Sequence, residues 1–329
     1  MSYPLSVLDL SPITSDGTAS QSFANTRALA QTAERLGYRR FWLAEHHGTT
    51  GIGSAATAVL IGNVAEHTKT IRVGAGGIML PNHSPLVIAE QFGTLEALYP
   101  DRIDLGLGRA PGSDQATVRA MRRDPRASEE FPQDVAELID FMADEPQQSV
   151  RAVPGRGAKV PVWILGSSLF GAQLAAAFGL PFAFASHFAP QMLMEALAIY
   201  RSSFRPSQFL DKPHAMAGLS LYAADTDEEA RYLASSQQQV VVNRRMGKSL
   251  RLPPPVAGYT DHLGPQEQAI LDSFTGAWGV GSPDTISKFL RDFLARTKAD
   301  ELIVATAMHD LGARLRSYEL VAEVATSLA

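Results

Sequence analysis

The 329-residue chain contains no cysteine, which excludes a disulfide framework, thiolate metal ligation, iron–sulfur clusters and a cysteine nucleophile together. It also lacks a basic cluster. Lys and Arg are dispersed, the net charge is −5 and the pI is about 5.9, so nucleic acid is not an expected partner. No apolar run approaches membrane-spanning length, and Met1-Ser2-Tyr3-Pro4 carries no basic segment leading into an apolar one; a cytoplasmic protein without a membrane partner is expected. Two nucleotide signatures are missing as well. Gly106-Leu107-Gly108-Arg109-Ala110-Pro111 places proline where the third glycine of a dinucleotide-binding turn belongs, and no Gly-Lys-Ser/Thr phosphate loop occurs.

What is present is a large apolar content, 45%, and a steady alternation of strand and helix signals. Apolar runs of strand length lie at 5–10, 40–44, 70–80, 102–109, 160–165, 181–185, 214–223 and 301–305. Helical spacing or helix-start chemistry separates them: 20–36 before Gly37, 54–67 with Ser54 as cap, 85–98, 128–143, and 190–203. Further helices begin at Asp225 or Thr226 and at Ser282-Pro283-Asp284, and the last spans 310–327. The stretch 248–277, with Pro253-Pro254-Pro255, breaks the rhythm and reads as an insertion over one end of the fold. Eight strands alternating with helices, without a compositional break, predict a single α/β domain over 1–329, a (β/α)₈ TIM barrel. A doubly wound sheet is the runner-up.

In such a barrel the loops after the strands share one rim, and ligand sites sit there. Four features fall on it: Glu45-His46-His47 after the second strand, Gly74 to Gly77 in the third, Arg109 after the fourth, and Gly166-Ser167-Ser168 after the fifth. Imidazole moves protons near pH 7, and Glu45 can orient or charge a ring. Serines opening a helix, with an arginine fork nearby, make an anion site. Glycine density signals strained backbone or a flat ligand against the main chain. Each feature has a structural reading too: a packed histidine, an N-cap, an ion pair. A metal hydrolase built on His46, His47, His83 or His187 is disfavoured, because adjacent His46 and His47 on an extended strand end point in opposite directions; no metal is expected.

Taken with Pro85 to Gln91 and Asp104-Leu105-Gly106-Leu107-Gly108-Arg109, the segments Trp42 to His47 and Ile71 to Pro81 resemble the bacterial luciferase-like, flavin-dependent monooxygenases. The resemblance is dense through residues 1–115 and thinner through Ile164 to Ser168 and Val280 to Leu320. It implies a barrel that binds FMN, in working form reduced FMN, and uses O₂ to oxygenate a small organic substrate through a C4a-peroxyflavin. By the same resemblance His46 is the catalytic histidine with Glu45 beside it, and Arg109, Ser167 and Ser168 hold the FMN phosphate together with Gly166. Ala75, Gly76 and Gly77 would back the isoalloxazine, with a non-proline cis peptide between the two glycines. A separate flavin reductase and a homodimer are expected. The Gly108–Asp114 turn resembles the FMN branch more than the F420 branch, and a non-catalytic FMN-binding protein or an F420-dependent oxidoreductase are the alternatives. Nothing identifies an aldehyde pocket. Trp278, Phe188, Trp42 and Met79 are candidates for an apolar substrate cavity, and the roles of Glu66, Asp114 and His187 stay open.

Overall fold

The computed structural model describes residues 3–109, 115–124, 126–247 and 250–328; residues 110–114, Lys248 and Ser249 lie outside them. Nine strands run in parallel: β1 Leu5–Asp9, β2 Arg40–Leu43, β3 Arg72–Met79, β4 Ile103–Gly108, β5 Val162–Gly166, β6 Phe182–Phe184, β7 Ala215–Ala223, β8 Trp278–Gly281 and β9 Glu301–Ala305. Each of β1 to β6 pairs with the next, β6 pairs with β7, β7 with β9, and β9 with β1. Eight strands therefore close into the predicted (β/α)₈ barrel. β8 is additional. It pairs with Ser220–Ala223 of β7 while Met216–Ser220 pair with β9, so it takes the edge that β6 occupies nearer the start of β7.

The outer face of the barrel, Val7, Phe41, Leu43, Val73, Ala75, Ile103, Leu105 and Leu107 among others, is buried against the helices in one continuous core. Strands covered on both faces read as unbroken apolar runs, which is why the alternation was legible. The interior is graded along the axis. At the amino-terminal end Arg40 bridges Glu301 (3.0 Å) and Asp104 (2.8 Å), and Arg72 also pairs with Asp104 (2.8 Å). The middle is filled by Leu8, Trp42, Trp163, Met216 and Ile303, with the two indoles edge to face at 5.2 Å. Toward the carboxyl end the inward positions shrink to Ala44, Gly76, Gly108, Ala185, Gly218 and Ala305 beside Leu10 and Leu165, and several of these are partly exposed. The barrel thus opens at the end where the strands finish.

Most helices stand where the spacing places them, including Ala19–Arg35, Phe131–Met142, Asp227–Arg245 capped by Thr226, and Pro283–Thr297. The helix expected at 54–67 starts later, at Thr57 with Ala56 as cap, because Ser54 Oγ instead donates to the Leu10 carbonyl. Within the 248–277 insertion the described residues form a helix, Pro265–Asp272, packed on Asp227–Arg245, and short 3₁₀ turns. Leu252 exchanges backbone hydrogen bonds with Ile13 and Ser15 after β1, which places the start of the insertion at the carboxyl end. Among the described residues no helix is long and apolar enough to cross a membrane.

Candidate active site

β2 ends at Leu43, and the chain leaves the barrel through Ala44-Glu45-His46-His47. Glu45 is almost fully buried, 1% exposed as a side chain. Its Oε1 lies 2.8 Å from His47 Nε2, 2.8 Å from His83 Nε2 and 3.4 Å from Asn82 Nδ2, and its Oε2 accepts the Met79 N–H at 3.0 Å. Burial pushes the carboxyl pKa up, but the bonds from His83 and His47, the charge on His83 and the Met79 amide outweigh it and hold it below the ordinary value. Glu45 therefore ties the β2 loop to the end of β3. The ring it orients is that of His47, with His83 beside it; His46 feels Glu45 only as a charge and through the backbone. His83 belonged to no sequence motif here, since it lies 38 residues from Glu45.

His46 alternates to the other side. Its backbone N–H donates to the Ser54 carbonyl (3.0 Å), and its ring is bonded to the backbone of Glu45. Burial first, and then the positive charge of Arg244 at the end of the helix Asp227–Arg245, lower its pKa below 6.5, with Glu45 opposing. The second histidine of the mouth is His187, after β6. Burial, reinforced by the charge of His46, pushes its pKa down to about 4; its Nδ1 is sealed without a partner, and any side chain at Gly218 would collide with that ring. Its carbonyl accepts from Trp278 Nε1 (3.1 Å), and Trp278 packs tilted against Tyr222 and Phe274 at 5.6–5.7 Å. β8 and the insertion thereby roof this side of the mouth.

The glycines of β3 have more than one reason. A Cβ at Gly77 would stand 2.6 Å from the Gly106 carbonyl oxygen, and one at Gly74 would collide with the backbone of Asp104, so both are set by the closeness of β4. Gly76 instead faces inward, over Leu8 and Trp42. The Gly76–Gly77 peptide is cis. The Ala75 side chain is fully buried in the outer core, so what Ala75 turns toward the barrel interior is backbone.

Arg109 is exposed at the end of β4, and its guanidinium lies 4.1 Å over the ring of Phe170, in the first turn of the helix Leu169–Phe178. Ser168 is the N-cap of that helix and makes no side-chain capping bond. A Cβ at Gly166 would crowd Gly171 Cα at 3.3 Å, so glycine allows β5 to end close against that helix. Arg109 thus lies against the first turn of the helix that Gly166, Ser167 and Ser168 lead into. Glu66 is elsewhere, bonded to Tyr99 on the surface. Of the cavity candidates, Trp42 is interior filling and Phe188 is 51% exposed at the rim.

The chain is matched by known proteins. The luciferase-like monooxygenase family model covers residues 4–301. A luciferase-like monooxygenase from Escherichia coli K12 is 52% identical over 325 residues, 98% of this chain and 97% of that protein. The N-acetyl-S-alkylcysteine monooxygenase of Bacillus subtilis is 30% identical over 338 residues, 97% of each chain. The crystal structure of apo-MsnO8 superposes with a TM-score of 0.93 at 35% identity, covering 99% of both chains. Two more distant structures share the fold. The oxygenating component of 3,6-diketocamphane monooxygenase from Pseudomonas putida, in complex with FMN, has a TM-score of 0.74 at 17% identity over 99% and 98% of the chains. An F420-dependent secondary alcohol dehydrogenase has 0.73 at 13% over 99% of each. With the family model matching residues 4–301 and a relative 52% identical over 98% of the chain, this chain belongs to the luciferase-like monooxygenase family.

Proposed function

We propose that the protein binds FMN in the barrel mouth and, with the flavin reduced, uses O₂ to oxygenate a small organic substrate. The observation that carries the cofactor reading is the convergence of Arg109 and the uncapped start of Leu169–Phe178 beside a mouth whose inward side chains are mostly glycine and alanine. Such a spot takes a phosphate, and the adjacent side-chain-poor floor takes a flat ring. Reduced FMN, when bound, supplies the electrons and the carbon at which oxygen is activated. The chain supplies the rest. Arg109, Ser167, Ser168 and the helix N–H groups hold the phosphate, and Gly76 and Gly77 present backbone to the ring. His46, kept neutral by burial and Arg244, accepts a proton on its imidazole during turnover. Trp278, Phe274 and the insertion restrict water on the β6–β8 side.

The relative named for N-acetyl-S-alkylcysteine oxygenation supports a small organic substrate. Delivery of reduced FMN by a separate flavin reductase, and assembly as a homodimer, belong to this reading.

The test is an anaerobic titration with reduced FMN, riboflavin and F420, followed by mixing with oxygen. FMN should bind more tightly than either, and Arg109→Ala should weaken FMN by about 10- to 100-fold while leaving riboflavin nearly unchanged, since a charge-assisted bond contributes roughly 1.5–3 kcal/mol. Equal losses for both ligands would remove the phosphate assignment. Preference for F420 would replace the cofactor.

A further inference from the structure

Among the described residues one group brings two imidazoles and a carboxylate to a point: Glu45, His47 and His83, whose ligand atoms all lie within 4.8 Å of one another. We propose that these three residues form a divalent-cation site at the barrel mouth, suited to Zn²⁺ or Co²⁺ rather than Mg²⁺ or Ca²⁺. The proposal is independent of the flavin reading and revises the expectation of no metal. That expectation weighed His46, His47, His83 and His187 and turned on the divergence of His46 and His47; the fold instead brings His47 together with His83, from the turn after β3.

The geometry carries it. Both Nε2 atoms converge on a single oxygen, Glu45 Oε1, at 2.8 Å, while Asn82 Nδ2 approaches the same oxygen at 3.4 Å. Three donors crowd an oxygen with two lone pairs, whereas Oε2 receives the Met79 amide. Ligands held about 2.1 Å from one ion stand roughly 3–3.4 Å apart at octahedral or tetrahedral angles, a little more than the 2.8 Å from each Nε2 to Glu45 Oε1. The Met79 N–H fixes the carboxylate through its other oxygen, as outer partners of a ligating carboxylate do. The histidine side chains are 23% and 27% exposed, so an ion and its remaining water ligands have a way in. Two imidazoles in the set favour borderline first-row ions over the hard, oxygen-seeking ones. Other histidine–carboxylate contacts bring one ring to one acid, as at His309 and Asp16 (3.0 Å). When filled, the site would link the β2 loop to the end of β3, on either side of His46 and Gly76–Gly77.

The test uses the untagged full chain, stripped with EDTA and free of flavin, titrated with Co²⁺ while its visible absorption is recorded. One Co²⁺ per chain should bind, be displaced by Zn²⁺ and resist millimolar Mg²⁺ and Ca²⁺. His47→Gln and His83→Gln, each checked for folding by circular dichroism, should each weaken Co²⁺ by about 30-fold or more; His309→Gln should not. No uptake by the wild type, displacement by Mg²⁺, or uptake that persists undiminished in either folded variant overturns the site and leaves Glu45 with hydrogen bonds alone.

Discussion

The protonation of His46 is governed by burial, by its sequence neighbour Glu45 and by Arg244 from a distant helix. Burial and Arg244 hold its pKa below 6.5 and Glu45 opposes them, so it is neutral at pH 7 and becomes charged only as the pH falls. A step that needs the neutral ring should therefore be flat near pH 7 and decline on the acid side below pH 6.5. Removing the like charge with Arg244→Gln should raise the His46 pKa and move that decline to higher pH, measurable as the pH profile of substrate oxygenation. His46→Ala should keep most FMN affinity and lower oxygenation by about 100-fold or more; unchanged turnover would sink the role. His187 acts on stability. Its native pKa of about 4 lies below the unfolded value, so between those limits the unfolded chain binds the extra proton. Stability should fall as pH drops from 6.5 toward 4, by up to about 1.4 kcal/mol per unit from this group, and His187→Gln should flatten that part of a urea-unfolding series.

At the scale of elements, the β3–β4 pair shows how a glycine pattern is read. Glycine density in β3 is a real signal, but two of its glycines answer to neighbouring backbone and one to the barrel interior. Gly106 on β4 is their counterpart, since a methyl group there would collide with the Ala75 carbonyl and Leu165. Gly106→Ala should destabilise by about 1–3 kcal/mol, seen as a lower midpoint in denaturant with little change in slope. β8 escaped notice because Trp278-Gly279-Val280-Gly281 is four residues long, half glycine, and abuts a strong helix start at Ser282. Its strand state comes from the free edge that the long β7 offers above β6.

Across the whole molecule the two ends of the barrel divide the work. The amino-terminal end is closed by Arg40, Arg72, Asp104 and Glu301, with His214 3.5 Å from Glu301. Burial pushes the Glu301 carboxyl up, and His214, Arg40, Ser6 and Arg39 bring it below the ordinary range. Arg40→Ala would leave two buried carboxylates short of a partner and should cost about 3–5 kcal/mol in urea unfolding. FMN affinity per folded molecule should be unaffected, because this network lies at the opposite end from the mouth.

Local chemistry determined the elements: continuous apolar runs for doubly covered strands, caps such as Thr226 and Asp310, and the abrupt passage from Leu43 to Glu45-His46-His47. Those signals act within a few residues, so the eight-strand alternation and the rim positions of His46, Arg109 and Ser168 could be read directly from the chain. The tertiary structure alone decided which distant groups meet. Arg40 lies 261 residues from Glu301, and His83 lies 38 from Glu45. Nothing in local spacing records either pairing, because a buried charge takes its partner from whichever strands barrel closure makes adjacent. The same closure turned Ala75 outward and Gly76 inward, since successive residues of a strand face opposite sides and only the closed sheet defines which side is the mouth.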